Sequence, residues 1–272
     1  MSEIIHTTGI TGFIGRNLLP LLLKKYRKVI NHNRKSKKTR YTLYTSDGIE
    51  EINFCDSSPI LLHLATNYNP NPKSIEEEKE IREANYFFPK NIAANFSKVI
   101  SICSYQQLLG EKYQNLYSET KTEFNEWCQS KVDQFIKIYL FDSFGYGDTR
   151  NKVVDVFIKN SIESKDLFIP ETNVEINLTE VSEIANGIMK SIDLPSGSYS
   201  LKSENNIALV DLARKLIEFT KSNSKIIEKG KIINLISKIN SEPENIYESI
   251  NNLSFDDQLR NRIDEIKKTE GL

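Results

Sequence analysis

The residues best suited to acid–base chemistry are a tyrosine and a lysine four positions apart. Tyr117 and Lys121 lie in the segment Tyr-Ser-Glu-Thr-Lys at the start of a predicted helix. Residues spaced i and i+4 share a helix face, so the two side chains are neighbours. A phenol with an ordinary pKa of about 10 shuttles protons poorly near neutral pH, but an adjacent ammonium favours the phenolate. The pair therefore predicts a tyrosine that exchanges a proton with a substrate.

The same spacing occurs a second time, at Tyr86 and Lys90. Pro89 interrupts that copy, whereas the later pair follows the fifth predicted strand and is preceded by a polar strand end that contains Ser104. We therefore interpret Tyr86 and Lys90 as core packing and surface charge.

A glycine-rich turn stands near the beginning of the chain. Gly9, Gly12 and Gly15 recur at intervals of three between a predicted strand and a predicted helix. Such a loop turns tightly, lets the backbone approach a pyrophosphate and presents the free N–H groups of the helix to an anion. The alternative is a merely structural glycine turn. The predicted nucleotide contacts are Gly9, Thr11, Gly12, Phe13, Ile14 and Gly15.

The end of the second predicted strand bears on the choice of nicotinamide cofactor. An acid at this place accepts from a ribose 2′-OH, whereas a basic residue accommodates a 2′-phosphate. Here Asn33 and Arg34 are followed by Lys35, Lys37 and Lys38 without a carboxylate. Arg34 can clamp a phosphate with its planar fork, which predicts NADP. The alternative is a solvated basic loop with NAD as the cofactor.

These residues need a scaffold of alternating strands and helices. Short apolar runs alternate with amphipathic charged stretches over the first 145 residues, which predicts a doubly wound parallel sheet of the Rossmann type in the α/β class. We expect a nucleotide-binding domain over 1–148 and a smaller C-terminal α/β substrate-binding region over 149–272, with about 173–192 returning to the first sheet. A short helix is expected near 49–54, and a set of small helices is expected in the tail from 225 to 272.

Composition excludes several classes of protein. The 272 residues carry 36 Lys and Arg against 37 Asp and Glu, so the net charge of −1 favours neither nucleic acid nor an acidic membrane as a partner. Three widely spaced cysteines and three histidines argue against a disulfide framework and against a metal site. The first residues lack a signal-peptide pattern. We therefore expect a cytoplasmic protein without a metal.

In this order, the motifs resemble those of a known family. The loop TGITGFIG, the strand end HLAT, the polar Ser104, the Tyr117 and Lys121 pair and the segment FDSFG are similar to the extended short-chain dehydrogenase/reductases. Within them, the match is to the NAD-dependent epimerase/dehydratase group, which acts on nucleotide sugars. The segments SYQ, TNY and FDSFGYGDTR look closest to CDP-paratose and CDP-abequose synthase-like 4-ketoreductases.

The resemblance implies a role for each matching position. Tyr117 would be the general acid, Lys121 would hold the nicotinamide ribose, and Ser104 would bond the substrate carbonyl oxygen. The implied cofactor contacts also include Leu64, Ala65, Thr66, Asn85 and Phe141, and the implied substrate contacts include Tyr105, Asp142 and Arg150.

Three departures from the family pattern narrow the function. Asp142 replaces the Asn of the family's F-N-x-Y-G segment. Tyr105 and Gln106 stand where dehydratases of the group place an Asp-Glu pair, so elimination lacks its carboxylates. The segment 174–178 lacks the Arg that many members use on the substrate diphosphate. Either Arg150 or Lys152 takes that role, or the substrate is not a nucleotide sugar.

The sequence thus predicts an NADP-dependent oxidoreductase that reduces a keto group, C4 of a nucleotide-linked deoxyhexose, in surface glycan biosynthesis. One alternative is a nucleotide-sugar epimerase that recycles NAD. Another is a non-catalytic protein that senses NAD(P) on the same fold. The resemblance also implies a homodimer that pairs through the helices carrying Asn85 and Tyr117.

Overall fold

A computed structural model of the chain describes residues 2–34, 40–52, 58–170, 175–228, 234–250 and 253–271. Within these ranges the fold is α/β, as predicted, and parallel strands dominate its large sheet. The strands are β1 (Ser2–Thr8), β2 (Tyr26–His32), β3 (Tyr41–Thr45), β4 (Gly48–Ile52), β5 (Ile60–His63), β6 (Lys98–Ser104), β7 (Gln134–Leu140), β8 (Asp142–Phe144), β9 (Leu167–Ile169), β10 (Glu175–Glu180), β11 (Gly197–Leu201), β12 (Asn206–Ala208), β13 (Ile226–Glu228) and β14 (Glu244–Asn245).

Eight α-helices accompany them in the described ranges. The segment 75–93 is a continuous helix that changes to π-type hydrogen bonding over Glu83–Phe87. The helices are α1 (Phe13–Lys25), α2 (Ile75–Arg82), α3 (Phe88–Ala93), α4 (Leu116–Lys131), α5 (Val153–Ile162), α6 (Val181–Ser191), α7 (Leu209–Thr220) and α8 (Phe255–Glu270).

The large sheet has the order β14-β11-β7-β6-β5-β1-β2-β3-β4 within the described residues. Neighbouring strands pair in parallel except in the hairpin of β3 and β4, where β3 is antiparallel to both β2 and β4. The short helix expected near 49–54 is therefore wrong over 49–52, and residues 53 and 54 lie outside the described ranges. Ser46 and Asp47 make a two-residue turn between Thr45 and Gly48, which pair across the ladder and fold the chain back as a strand.

The described residues form three hydrophobic clusters. One lies under the large sheet, where Leu18 and Leu22 of α1 and Ile184 and Ile188 of α6 are almost fully buried against the strands. The second packs α3 and α4 against β5, β6 and β7. The third joins α5, α7 and α8 to β8 and β10. The cleft described below is lined by elements of the first and third clusters, because β8 follows β7 directly.

The expected return of about 173–192 to the large sheet needs correction. Within that range β10 pairs with β8 and β12 in a separate sheet, and only α6 packs on the first cluster, against α1. The strands that join the large sheet come later, as β11 beside β7 and β14 beside β11.

The tail is also more regular than expected. It contains the helix α8, which is 16 residues long and is capped by Ser254 and Asp257. In the described part of the chain, no helix has the length and apolar character needed to span a membrane.

Candidate active site

A cleft of about 1050 Å³ opens at the carboxyl ends of the parallel strands. It lies beside the ends of β1 and β5, where the sheet order reverses and α/β proteins bind their ligands. Every predicted site residue except Asn85 lines it. These residues are Gly9, Thr11, Gly12, Phe13, Ile14, Gly15, Asn33, Arg34, Leu64, Ala65, Thr66, Ser104, Tyr105, Tyr117, Lys121, Phe141, Asp142 and Arg150.

The glycine-rich turn has the backbone geometry that its sequence predicts. Gly9 has a φ of 74°, and a Cβ there would lie 2.6 Å from the backbone nitrogen of Ala65. At Gly15 a Cβ would lie 2.4 Å from the carbonyl oxygen of Ile10. Both positions therefore need glycine, the first for a left-handed turn and the second for the close approach of α1 to the turn.

The start of α1 is suited to an anion. Gly12 caps the helix without a side-chain hydrogen bond, so free N–H groups of the first turn face the cleft. The turn is braced from behind by Asn31, whose Oδ1 accepts from the Ile10 N–H at 3.2 Å. This uncapped, braced turn fits the pyrophosphate of a dinucleotide.

The end of β2 is held by an amide network. Asn33 Oδ1 accepts from Asn31 Nδ2 at 3.0 Å and from Thr42 Oγ1 at 3.2 Å. Arg34 is exposed and lines the cleft. The lysines at 35, 37 and 38 lie outside the described residues.

A carboxylate that the sequence analysis missed also lines this part of the cleft. Glu51 stands on β4, opposite Thr42 of β3. Its position depends on the hairpin, so the search for an acid at the end of β2 could not find it. The cofactor end of the cleft therefore contains both an arginine and a glutamate.

Tyr117 and Lys121 reach the cleft from the first two turns of α4. The helix begins at Leu116 because Asn115 and Ser118 form a capping box. Tyr117 is 6% exposed and Lys121 is 5% exposed, and Lys121 Nζ lies 5.9 Å from the centre of the Tyr117 ring.

Burial dominates the electrostatics of this pair. It raises the pKa of Tyr117 above the ordinary value of 10, and the hydroxyls of Ser104 and Thr66 oppose the rise by hydrogen bonding. Burial also lowers the pKa of Lys121. In the free protein, desolvation outweighs the hydrogen bonds that favour the phenolate, so the pKa of Tyr117 moves in the opposite direction to the one expected from Lys121.

Ser104 ends β6 and begins a short 3-10 turn. Its Oγ accepts from the Gln106 N–H at 3.3 Å, and its N–H donates to Gln107 Oε1 at 3.0 Å. These bonds fix the hydroxyl beside Tyr117. The next residue, Tyr105, stacks on Phe141 with ring centres 5.3 Å apart.

Asn85 lies behind the cleft wall and not in it. It is 1% exposed, its Oδ1 accepts from the Asn67 N–H at 2.8 Å, and its Nδ2 donates to Asn67 O at 3.1 Å. Its Oδ1 also accepts from Thr66 Oγ1 at 3.1 Å. The implied cofactor contact of Asn85 is corrected to a supporting role, because these bonds occupy its side chain and position Thr66.

Arg150 is already engaged within the protein. Its guanidinium bonds both carboxylate oxygens of Asp148, at 2.8 and 2.6 Å, and the carbonyl oxygen of Ser143 at 2.9 Å. It also stacks on Phe13, 4.1 Å from the ring centre. Arg150 therefore shapes the cleft wall, and Lys152 is the second cation that lines the cleft in this region.

A further residue that the predicted site omitted is Tyr68. Its ring lies 4.9 Å from that of Tyr117, edge to face, and its hydroxyl accepts from Gln106 Nε2 at 3.3 Å. Lys152 Nζ lies 3.4 Å from the centre of the Tyr68 ring. The TNY segment of the sequence pointed to Tyr68, but only the fold brings its ring next to Tyr117.

The fold and the site together resemble those of a class of enzyme. A doubly wound sheet, a glycine turn at the head of α1 and a buried tyrosine and lysine on α4 are similar to the arrangement in short-chain dehydrogenase/reductases. In the described ranges, no group of three or more His, Cys, Asp or Glu side chains is placed to hold a metal ion.

Comparison with known proteins places the chain more closely. No protein-family model matches it. CDP-abequose synthase of Yersinia pseudotuberculosis is 25% identical over 214 residues, which cover 72% of this chain and 75% of that protein.

Solved structures share the fold over nearly the whole chain. The Bordetella bronchiseptica enzyme WbmF in complex with NAD+ and UDP has a TM-score of 0.72 at 18% identity, covering 99% of this chain and 94% of that one. A mutant UDP-glucuronic acid 4-epimerase of Bacillus cereus, in complex with NAD and a fluorinated UDP-sugar, has a TM-score of 0.73 at 14% identity, covering 98% and 100%. The chain therefore shares the fold of these NAD-bound enzymes and is similar in sequence to a CDP-abequose synthase, in agreement with the resemblance that its motifs show to extended short-chain dehydrogenase/reductases.

Proposed function

We propose that the protein is an NADP-dependent reductase of a keto group on a nucleotide-linked deoxyhexose, a 4-ketoreductase of surface glycan biosynthesis. The observation that carries the proposal is the buried Tyr117, which lines the cleft together with Ser104 and Lys121. The likeness to CDP-abequose synthase supports the same class of substrate.

The cleft would hold a nicotinamide dinucleotide along the ends of β1 and β5. The first turn of α1 would bind the pyrophosphate through its N–H groups, and Arg34 would contact a 2′-phosphate. A bound nicotinamide supplies the hydride. Ala65 and Thr66 border the same channel.

The chain's own residues supply the proton. Tyr117 donates its phenolic proton to the carbonyl oxygen as that oxygen becomes an alkoxide, and Ser104 donates a hydrogen bond to the same oxygen. Lys121, one turn along α4, stabilises the phenolate that remains. Gln106 takes no part in elimination, because its amide has no proton-transfer function and is bonded to Tyr68.

Reduction and epimerisation differ in the state of Tyr117 in which they begin. Reduction begins with a protonated phenol, whereas epimerisation begins with oxidation of a sugar hydroxyl, for which the tyrosine must accept a proton as phenolate.

The substrate diphosphate would lie near the start of α5. Lys152 is the N-cap residue of that helix, and its side chain makes no capping hydrogen bond. Lys152, Val153 and Val154 all line the cleft. An ammonium and free helix N–H groups at one place suit the negative part of a nucleotide sugar.

A screen of nucleotide-linked 4-keto sugars, followed through NADPH absorbance, tests the reaction. Tyr117→Phe should fold and bind NADPH but lower turnover by about 10²–10⁴-fold, the scale of a lost general acid. A sensing protein without catalysis would show NADPH binding but no oxidation with any member of the panel.

Tyr86→Phe is the matched control. Tyr86 has the same spacing to a lysine, and Lys90 Nζ donates to its hydroxyl at 3.1 Å, yet it does not line the cleft. Its turnover should stay within a few fold of wild type. A collapse in Tyr86→Phe with an intact fold would show that the chemistry belongs to the other pair.

An NAD-dependent epimerase is the second candidate, and Glu51 favours it. A carboxylate at the adenosine end accepts from a ribose 2′-OH and repels a 2′-phosphate. The two solved structures described above were in complex with NAD+ or NAD. The ratio of the NADPH and NADH dissociation constants, measured at fixed salt, separates the two candidates.

A further inference from the structure

Asp142 has an unsatisfied carboxylate oxygen at the wall of the cleft. It begins β8 and lines the cleft, and among the described residues its buried Oδ2 has no hydrogen-bond partner. Buried side-chain oxygens nearly always have a partner, because leaving one unpaired costs the full desolvation penalty. The oxygen is therefore placed for a donor that the chain itself does not provide.

The nearby cations do not supply that donor. Arg150 is bonded to Asp148 and Ser143, and the Lys152 ammonium lies over the Tyr68 ring. Both cations act on Asp142 only through space and lower its pKa, while burial raises it to about 6. The charge of Asp142 also acts on the neighbouring Tyr68, where it raises the pKa of the phenol.

We propose that Asp142 accepts a hydrogen bond from a hydroxyl or amino group on the sugar of the substrate, and that it selects nucleotide sugars with a donor at this point. The inference rests on the proposed function, because it assumes a nucleotide sugar in the cleft. An asparagine, as in the resembling family, both donates and accepts, whereas an ionised carboxylate only accepts.

The neighbouring charges also give the substrate a direction. A carboxylate repels a diphosphate, whereas Lys152 and the uncapped start of α5 attract it. The diphosphate thus lies at Lys152 and the sugar at Asp142. Tyr68 contacts both Tyr117 and Lys152, so the phenol and this ammonium border the same part of the cleft.

The test compares wild type with Asp142→Asn and Asp142→Ser in the presence of saturating NADPH. Calorimetry measures the binding of CDP, UDP and dTDP, and of the 4-keto-6-deoxyhexoses and hexoses linked to each of them. Asp264→Asn is the matched control, because Asp264 is exposed on α8 and outside the cleft. Thermal melts show which variants are folded.

We expect the sugar that wild type binds most tightly to lose roughly 10- to 100-fold in affinity in both Asp142 variants, the scale of a hydrogen bond to a charged group. The bare nucleoside diphosphates should change by less than about threefold, and Asp264→Asn should match wild type. Analogues of the preferred sugar that lack the proposed donor group should bind wild type and Asp142→Asn with the same affinity.

Two results would overturn the proposal. Tighter binding of bare nucleoside diphosphates by Asp142→Asn would place the carboxylate at the diphosphate, and unchanged binding of every sugar would make it structural. Turnover is measured separately, so the two proposals can fail independently. Loss of sugar affinity in the Asp142 variants without hydride transfer by wild type refutes the proposed reaction alone. Hydride transfer by wild type with unchanged sugar affinity in the variants refutes this inference alone. A panel of which no member binds wild type refutes both.

Discussion

Between about pH 4 and pH 6, the free energy of unfolding of Asp142→Asn should rise relative to that of wild type. The carboxyl has an ordinary pKa of 3.8, and burial raises it to about 6 in the folded protein. At about 1.4 kcal/mol per pH unit, this difference lowers the free energy of unfolding by at most about 3 kcal/mol above pH 6. Asp142 is only partly buried as a whole, so solvent reduces the effect below that limit.

The sign follows from proton binding. Between the two pKa values the folded state retains a proton that the unfolded state has released, so wild type loses stability as the pH rises from about 4 to about 6. Above that range the loss is complete and constant. Asparagine does not titrate, so any fixed cost of its buried amide is the same at every pH and cancels from the trend.

Urea unfolding followed by fluorescence of the single tryptophan, Trp127, measures the effect from pH 4 to pH 7.5. The upper limit stays below the pKa of Lys152, which burial lowers to about 8 and which Asp142 also influences. Asp264→Asn controls for net charge. A stability difference between Asp142→Asn and wild type that is the same at pH 4 and pH 7 would refute a buried, unpaired carboxylate.

Three further predictions concern the cofactor end and the assembly. Asn33→Asp combined with Arg34→Ser should weaken NADPH by about 10- to 150-fold and spare or improve NADH, as measured by dissociation constants at fixed salt; a wild type that already prefers NADH would contradict it. Gly15→Ala should lower the denaturation midpoint and weaken dinucleotide binding, because its Cβ would lie 2.4 Å from the oxygen of Ile10; unchanged stability would show that α1 can move. Sedimentation at micromolar concentration should give a homodimer, and a monomer would count against pairing through α2, α3 and α4.

The order of strands and helices could be predicted because periodicity is local. Ile60 to Leu64 and Val99 to Ile102 are apolar runs that become the central strands β5 and β6. The hairpin of β3 and β4 could not be found in this way, since Gly48–Ile52 is almost wholly exposed and shows no alternation of apolar residues. Its signal was the turn chemistry of Ser46 and Asp47.

The predictable part of the candidate site is likewise the part that depends on local spacing. The glycine turn and the Tyr117 and Lys121 pair are set by spacing within one turn or one helix, so the sequence predicts them. The state of Arg150 depends on Asp148, two residues away, and on stacking against Phe13 from a distant helix. Spacing predicts a free arginine there and cannot show that tertiary contacts occupy it.

The charges that line the cleft fit the proposed binding of two anionic ligands by a chain with a net charge of −1. Long-range attraction is absent, so each negative group needs a local donor set. The uncapped starts of α1 and α5 provide two such sets, with Arg34 near the first and Lys152 at the second. The carboxylate of Asp142 lines the same cleft and interacts electrostatically with Lys152. In the proposed function, Lys152 would attract the diphosphate of a nucleotide sugar, and Asp142 would repel phosphate and accept from the sugar.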